Sequence, residues 1–306
     1  MIYIIVNPAS KSGAGKRQWE ALKQELNKDS LVYEVFFTQK ERGASACISA
    51  IMQRYDPQVP NTLCVLGGDG TMNEIVTALA DHKDIAISYL PTGSSNDLAK
   101  ALQITSSPAQ LLERIRKPEP LHADTGILQA KHYKNHRFCV SCGIGLDAAV
   151  CKEALDSRLK DTLNRLGLGK LTYAGIALRQ LIVSPITDCD ITLDDHVTRH
   201  FDKLLFAVAM IHPYEGGGIK MAPMADCHDG KFDIMIVAGL RKWRALYLLP
   251  MAFFGLHTKA KNVYFFKSTS MTLQTDTPLI VHTDGEYCGK QNKITLSCQK
   301  DGLKYL

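Results

Sequence analysis

The stretch Cys64-Val65-Leu66-Gly67-Gly68-Asp69-Gly70-Thr71-Met72-Asn73-Glu74 decides the fold that we predict for this chain. Residues 62–66 are apolar enough for a short buried strand, and residues 72–79 have the apolar spacing of a helix. A strand, a glycine-rich turn and a helix in this order favour phosphate binding, because glycines let the backbone approach an anion and a helix N-terminus presents free N–H groups. The spacing excludes a Walker P-loop and a dinucleotide fingerprint.

Asp69 is the unusual residue of this loop. A carboxylate would repel the phosphate groups of a ligand unless a cation lay between them. The loop therefore indicates a metal–nucleotide site. A plain tight turn is the alternative when the loop is taken alone.

The N-terminal part of the chain alternates strands with helices, which is typical of a parallel sheet covered by helices on both faces. Ligands of such sheets bind at the carboxyl ends of the strands. We predict strands at residues 2–6, 32–38, 62–66 and 85–90, so that Asn7, Thr38, Gly67 and Pro91 converge at this edge.

A second polar loop, Gly93-Ser94-Ser95-Asn96-Asp97, follows the last of these strands. It repeats the order of strand end, small polar turn and helix start. Ser95 or Asn96 would cap the helix after it. Taken alone, the loop is equally well explained as a capped turn without a ligand.

The composition is that of an ordinary globular protein, with 45% apolar and 22% charged residues, and 306 residues allow two domains. The net charge of +5 suits an anionic substrate or membrane surface but is too small to indicate nucleic acid. Nine scattered cysteines indicate reduced thiols. Because we find neither a signal peptide nor an apolar run of about 18 residues, we expect a cytoplasmic protein.

After about Asp124 the predicted strands become closely spaced, which indicates an antiparallel second domain, a β-sandwich. We place them at residues 125–130, 136–142, 189–194, 204–211 and 232–237. Residues 148–182 form a helical insertion with a leucine stripe (Leu155, Leu159, Leu163, Leu166) and surrounding basic residues (Lys152, Arg158, Lys160, Arg165, Lys170). The insertion either packs on its own domain or meets anionic lipid.

Two acidic turns of this second part could carry chemistry. Residues 223–233 combine carboxylates with a tight turn, which suits Mg²⁺ or Ca²⁺, although Asp-Gly turns are also common hairpin connections. An acid of the turn His282-Thr283-Asp284-Gly285-Glu286 could accept a proton from a hydroxyl nucleophile, or the turn could be an ordinary hairpin. Cys139 and Cys142 would point to opposite faces of a strand, so we do not expect metal there.

Together and in this order, the motifs resemble the diacylglycerol kinase catalytic-domain family, most closely its soluble bacterial lipid kinases. The likeness covers essentially the whole chain. It runs through Val6-Asn7-Pro8, the two polar loops, Asp124-Thr125-Gly126, Gly216-Gly217-Gly218, the turn at 223–230 and Asp284-Gly285-Glu286.

The resemblance implies an α/β plus all-β protein. Residues 1–124 would form a three-layer α/β nucleotide-binding domain with a mainly parallel sheet, to which residues 292–306 return. Residues 125–291 would form a β-sandwich domain for the lipid substrate.

The resemblance also implies site residues. Mg²⁺ and its waters would be surrounded by Asp69, Asp97 and Asp124, and Glu286 would take the proton of the acceptor hydroxyl. A structural Mg²⁺ would be held by the Asp229 side chain and the main-chain carbonyls of Asp226 and Lys231. ATP would contact Thr38, Gly67, Gly68, Asp69, Gly70, Thr71, Met72, Asn73 and Ser94.

Two departures from the family pattern affect these residues. The family usually has Thr where this chain has Ser94, and the hydroxyl is preserved. Family members often have hydrophobic residues at the positions of Asp226 and Lys231, but the implied ligands there are backbone oxygens.

The implied activity is ATP-dependent phosphorylation of a lipid hydroxyl, foremost that of diacylglycerol to give phosphatidic acid for phospholipid biosynthesis. The enzyme would be cytoplasmic and would contact the membrane peripherally during turnover. The alternatives are a kinase of a soluble metabolite such as NAD and a non-catalytic nucleotide-binding regulator. The lipid and the choice between monomer and homodimer stay open.

Overall fold

The structure, a computed structural model, describes residues 1–29, 31–79, 82, 84–104, 107–156, 169–194 and 196–306. The chain divides into two units, Met1–Thr125 with Lys300–Leu306 and Gly126–Gln299. The return to the first unit was predicted at Asn292 but begins at Lys300. The reason is that residues as far as Ser297 still pair with a strand of the second unit.

In the described residues, the first unit contains four strands that pair in parallel, and Lys304 and Tyr305 add a further parallel pairing beside the last of them. β1 (Ile2–Val6) lies between β2 (Tyr33–Phe37) and β3 (Thr62–Gly67), and β4 (Ala86–Pro91) follows β3. Each connection contains a helix, as parallel neighbours require. The helices of this unit are α1 (Ser10–Lys28), α2 (Ala44–Met52), α3 (Asp69–Leu79), α4 (Asp97–Ala101) and α5 (Pro108–Arg116).

Apolar side chains on the facing sides of these elements form the core of the first unit. Trp19, Leu22 and Leu26 lie on one side of α1 and are buried, as their spacing predicts. They pack with Ile4 of β1 and Leu66 of β3. The core therefore holds the carboxyl end of β3, where the glycine loop begins.

The second unit is antiparallel in every strand pairing that the structure describes. Most pairings of the described chain are therefore antiparallel, and parallel pairing is confined to the first unit. The strands are β6 (Tyr133–Phe138), β7 (Ser141–Gly145), β8 (Thr187–Leu193), β9 (Thr198–Met210), β10 (Phe232–Ala238), β11 (Val263–Ser268) and β12 (Ser270–Thr283). β5 (Leu121–Ala130) and β13 (Glu286–Tyr305) contribute residues to both units.

Two short strands share one place in the second unit, because β7 and β8 both pair with β9 on one side and with β12 on the other. The chain leaves this position between β9 and β12 after Gly145 and returns to it at Thr187. The helical insertion is the connection between these two points.

The described part of the insertion contains two helices, where the sequence predicted one stretch over residues 148–182. These are α6 (Leu146–Asp156), which packs on β7, β9 and β12, and α7 (Gly169–Val183). Glu153 of α6 accepts hydrogen bonds from Arg179 and Gln180 of α7. Outside the described residues lie positions 157–168, which include Arg158, Leu159, Lys160, Leu163, Arg165 and Leu166.

A last helix, α8 (Lys242–Phe253), and a 3-10 turn (Leu256–Lys259) connect β10 to β11. Among the helices in the described part of the chain, none is both long and apolar enough to cross a membrane.

The strand predicted at residues 136–142 is wrong in one respect, because it is two strands, β6 and β7, with a break at Cys139 and Val140. The backbone N–H groups at the break donate to the carboxylate of Asp284 instead of to a neighbouring strand. Both Cys139 and Cys142 are buried free thiols.

Candidate active site

The glycine loop of the first unit is shorter than predicted. α3 begins at Asp69 rather than at Met72, so Gly68 alone separates it from β3. The N–H group of Met72 already donates to the Gly68 carbonyl, 3.1 Å away. The loop thus turns directly into a helix whose first N–H groups have no partner within the helix.

The two polar loops of the first unit touch through their backbones. A Cβ atom added to Gly93 would lie 2.6 Å from the Cα of Gly68, and one added to Gly68 would lie 2.9 Å from the Cα of Gly93. The N–H group of Thr92 donates to the Gly67 carbonyl at 2.7 Å. Both positions therefore require glycine, and the predicted convergence of the two loops is confirmed.

The predicted cap of α4 by Ser95 or Asn96 is wrong. Asn96 has a left-handed backbone (φ 51°), and its side chain exchanges two hydrogen bonds with the backbone of Gly93. The cap comes instead from Asp69, whose carboxylate accepts the N–H groups of Asp97 and Leu98 at 3.2 and 3.4 Å. Asp69 thus joins the two loops.

The three predicted acids of the first unit make different contacts. Asp69 and Asp97 meet at the first turn of α4, where Lys100 pairs with the buried Asp97 at 3.1 Å. Asp124 is buried on β5 and accepts the N–H group of Asp301 at 3.0 Å. The acidic network around Mg²⁺ stays a prediction.

The remaining residues predicted to contact the nucleotide differ in their exposure to solvent. Gly67, Thr71, Met72 and Asn73 are buried, whereas Gly68, Gly70 and Thr38 are half-buried and Ser94 is exposed. Met72 has no exposed surface, so a nucleotide could contact it only if neighbouring residues moved. The N–H group of Thr38 donates to the Val6 carbonyl at 2.9 Å.

The start of α1, after the carboxyl end of β1, was not singled out from the sequence. Lys11, Ser12 and Gly13 have positive φ angles of 40°, 54° and 89°. Backbone in such conformations can form a concave group of N–H donors that binds anions. The signal was the small, basic segment after Pro8, and the Ser10 hydroxyl lies 2.6 Å from that of Thr92 at the second loop.

The acidic turn of the second unit joins β12 to β13. Thr283 and Glu286 face each other across the two-residue turn, and Asp284 and Gly285 have φ angles of 51° and 87°. Two positive φ angles define a type I′ turn, for which Asp-Gly is a preferred pair. The hairpin predicted as one alternative is therefore present, and it fixes the direction in which Glu286 leaves the turn.

The carboxylate of Asp284 ties this turn to the break between β6 and β7. It accepts the N–H groups of Cys139, Val140 and Ser141 at 3.0, 2.7 and 3.0 Å. Hydrogen bonds to a charged acceptor are the stronger kind. Asp284 is thereby committed to structure, and Glu286, which is partly exposed, is the other acid of the turn.

A buried network around His282, also missed from the sequence, supports the turn. His282 accepts the N–H group of Gly285 on Nδ1 at 3.0 Å, and its Nε2 lies 2.7 Å from Asp147 and 3.3 Å from Glu215. Burial alone would lower the pKa of His282, but the carboxylates of Asp147, Glu215 and Asp284 raise it. The hydrogen bond from Gly285 favours the neutral ring and opposes that rise.

The same network has ligand atoms close enough for a metal, since Asp147, Cys151, Glu215 and His282 all converge. The Gly285 hydrogen bond requires Nδ1 without a proton, so Nε2 carries the ring proton and donates to the carboxylates. The histidine is therefore a hydrogen-bond donor toward this cluster rather than a metal ligand. Asp147, just after the glycine pair 143–145, and Glu215, before Gly216, were the signals in the sequence.

Comparison with known proteins decides the family. Residues 1–128 match the model described as "Diacylglycerol kinase catalytic domain", and residues 140–300 match that of the "YegS C-terminal NAD kinase beta sandwich-like domain". The chain is 32% identical over 296 residues to "Putative lipid kinase YtlR" of Bacillus subtilis, covering 94% of this chain and 93% of that protein. The chain belongs to the diacylglycerol kinase family. Its resemblance to that family is thus confirmed, and it is a kinase.

Other members of the family and solved structures agree with this result. A diacylglycerol kinase of Staphylococcus saprophyticus is 26% identical over 289 residues, covering 94% of this chain and 89% of that one. A crystal structure titled as a putative diacylglycerol kinase from Bacillus anthracis has a TM-score of 0.75 at 19% identity, over 99% and 96% of the two chains. A yeast NADH kinase has a TM-score of 0.54 at 10% identity, over 100% and 82%. The structural likenesses show the fold alone.

In the turn predicted to hold a structural Mg²⁺ in this kinase, the positively charged side chain of Lys267 already lies against the carboxylate of Asp229. One oxygen of Asp229 accepts the N–H group of Lys231 at 2.9 Å, and the other lies 2.6 Å from the ammonium group of Lys267. Lys267 also lies 3.4 Å from Asp233. Asp226 is exposed and accepts the N–H group of His228. The oxygen donors suit a hard cation, but a metal would have to displace Lys267 from Asp229.

Replacing Lys267 with methionine should lower the free energy of unfolding by about 1 kcal/mol, because two carboxylates lose their counter-ion. Burial raises the pKa of Asp233 and Lys267 opposes that rise, so the variant should also hold a proton there more readily. If the turn can take a metal, Mg²⁺ should raise the melting temperature of Lys267→Met more than that of the wild type. Lys290→Met, at an exposed lysine of β13, is the control. An equal response of all three proteins to Mg²⁺ would argue against a metal at this turn.

Proposed function

We propose that this kinase transfers the γ-phosphoryl group of ATP to the hydroxyl of a lipid, with diacylglycerol as the acceptor and phosphatidic acid as the product. ATP would bind at the carboxyl ends of β1, β3 and β4. The enzyme would meet its lipid at a membrane surface and bind that surface only peripherally.

The observation that carries the proposal is the locked pair of polar loops in the first unit. Gly68 and Gly93 touch through their Cα atoms, and Asp69 bridges the loops by capping α4. A helix N-terminus such as that of α3 presents N–H groups to phosphate oxygens, and the absence of a side chain at both glycines leaves room for them. Phosphoryl transfer depends mainly on such positioning and on charge stabilisation.

Mg²⁺ is part of the proposal, since carboxylates are hard oxygen ligands of the kind that this ion takes in phosphoryl-transfer enzymes. When bound, it would neutralise charge on the transferring phosphoryl group. Asp69, Asp97 and Asp124 would hold it, partly through water. Thr38 and Ser94 would contact the nucleotide with hydroxyl or backbone groups, and Lys11, Ser12 and Gly13 would add N–H donors.

Glu286 would accept the proton of the attacking hydroxyl in this proposal. It begins β13 directly after a rigid two-residue turn, so its backbone is fixed on both sides. Asp284, the other acid of the turn, already accepts three backbone N–H groups. General-base catalysis of this kind typically contributes about 10²–10⁴ in rate.

The choice of a lipid as acceptor rests on the curated relatives. One is named a lipid kinase and another a diacylglycerol kinase, and both match nearly the full length of this chain. The yeast NADH kinase shares the fold at much lower identity. NAD is therefore the acceptor against which the proposal has to be tested.

The test is a panel of acceptors presented with labelled ATP and Mg²⁺. Diacylglycerol, phosphatidylglycerol and a sphingoid base are offered in mixed micelles, and NAD is offered in solution. Label in phosphatidic acid supports the proposal as stated, and label in another lipid corrects the acceptor. Label only in NAD, or ATP binding without transfer to any acceptor, would refute it.

A further inference from the structure

The second unit exposes a second apolar face on α8. The side of this helix that faces the core carries Ala245, Leu248 and Ala252, of which the two alanines are buried. The outer side carries large apolar residues at helical spacing, and Trp243 is 52% and Tyr247 is 65% exposed. Folding uses one apolar face of a surface helix, and a contiguous exposed apolar face of this kind is typical of an interaction site.

This face continues beyond the helix at both ends. Phe254 and Leu256, in the turn after α8, are 75% and 62% exposed. At the other end, the ammonium group of Lys242 donates to the carbonyls of Ile182 and Ser184 at 2.7 Å each, which places the exposed end of α7 beside α8. We call the whole surface the α8 patch; it comprises Ile182, Val183, Trp243, Leu246, Tyr247, Phe253, Phe254 and Leu256.

Basic residues flank the α8 patch in the sequence, and acidic residues are missing from this segment. The sequence has no Asp or Glu between Asp233 and Asp276. The basic residues of that segment near the helix are Arg241, Lys242, Arg244, Lys259 and Lys261. The guanidinium group of Arg244 lies 5.3 Å from the ring centroid of Trp243, so charge and aromatic surface are adjacent.

We propose that the α8 patch is the surface with which this protein binds an anionic lipid bilayer. Helices that lie at the membrane–water interface combine aromatic residues with lysine and arginine. Their aromatic rings lie at the level of the lipid headgroups. Basic residues there are attracted to anionic headgroups. The sequence favoured residues 148–182 for this contact, and the α8 patch places it mainly on a different helix.

An exposed apolar face could instead bind a second copy of the chain. A two-fold dimer would place the same patch on both copies in contact. The cations around α8 would then face the same cations of the other copy, with no acid in the segment to pair with them. The charge of the patch therefore favours an anionic bilayer over a dimer.

The protein has a natural reporter for this inference. It has two tryptophans, Trp19, which is 5% exposed, and Trp243 on the patch. Mixing the wild-type protein with vesicles of phosphatidylcholine and phosphatidylglycerol should shift the tryptophan emission to the blue. Brominated lipids should quench it. Trp243→Phe should remove both responses while the protein still binds.

The binding test is vesicle flotation without nucleotide, which keeps the inference independent of the proposed function. Trp243→Ser/Phe254→Ser should weaken binding to anionic vesicles about tenfold or more, because two aromatic anchors are lost. Arg241→Gln/Arg244→Gln should weaken it severalfold and make it less sensitive to salt. Vesicles of phosphatidylcholine alone should bind the wild type much less than anionic ones.

Matched variants outside the patch separate it from a general surface effect. Val197→Ser removes an exposed apolar side chain elsewhere on the second unit, and Lys290→Gln/Lys293→Gln removes two exposed charges of β13. Both should bind vesicles like the wild type. The inference is overturned if Leu155→Ser on α6 abolishes binding while the α8 variants keep it. It is also overturned if the blue shift appears with rising protein concentration and no lipid, since the patch would then be a dimer contact.

Discussion

Replacing Glu286 with glutamine should lower kcat by about 10²–10⁴ while the affinity for ATP stays close to that of the wild type. The amide has nearly the same shape as the carboxylate but cannot accept the proton of the attacking hydroxyl. The residue pairs with Thr283 across a rigid turn, so the substitution leaves the backbone of the turn unchanged. Steady-state kinetics with a lipid acceptor measure kcat, and titration of a fluorescent ATP analogue measures affinity.

Three variants make the result for Glu286 specific. Glu286→Asp keeps the base but withdraws it by one methylene, so it should retain more activity than the glutamine variant. Glu113→Gln, at an exposed position of α5, is the matched acid-to-amide control and should behave like the wild type. Asp284→Asn should instead lower the melting temperature, because three backbone N–H groups lose a charged acceptor. If the Glu286→Gln enzyme had a near-normal kcat, a group other than Glu286 would accept the proton of the attacking hydroxyl.

The parts of the fold that were predicted well are those that local patterns determine. The strand before Gly67 is buried and apolar, and Trp19, Leu22 and Leu26 repeat at helical spacing. Each pattern is complete within a few residues, so it can be read from one stretch of sequence. The meeting of the two polar loops followed from the parallel sheet, because carboxyl ends of parallel strands lie at one edge.

The parts that were missed depend on contacts between distant stretches of the chain. The break between β6 and β7 exists because Asp284 accepts the N–H groups there, and the local sequence at 136–142 has no sign of it. Lys267 of β11 beside Asp229 of the acidic turn is likewise a contact between residues 38 positions apart in the chain. Exposure is missed for the same reason, since a helix with two apolar faces cannot be assigned an outer face until its packing is known.

The substitution of Asp69 by asparagine should have the second large effect, lowering kcat/KM on the order of a hundredfold and raising the Mg²⁺ concentration needed for activity. Asp69 is the first residue of α3, and its carboxylate accepts hydrogen bonds from the N–H groups of Asp97 and Leu98. It has two separable roles, the cap of α4 and a negative charge beside the nucleotide phosphates. The asparagine removes the charge but keeps one oxygen for the cap.

Stability and activity together distinguish the two roles of Asp69. A lost or weakened cap should cost about 1 kcal/mol of unfolding free energy. Asp56→Asn is the matched control, because Asp56 also accepts a backbone N–H group, that of Gln58 at 2.9 Å, in an exposed turn. It should lower stability slightly and leave kinetics unchanged. If Asp69→Asn lost stability but kept its kcat and Mg²⁺ dependence, the carboxylate would be a cap alone, and the cation would have to be held by Asp97 and Asp124.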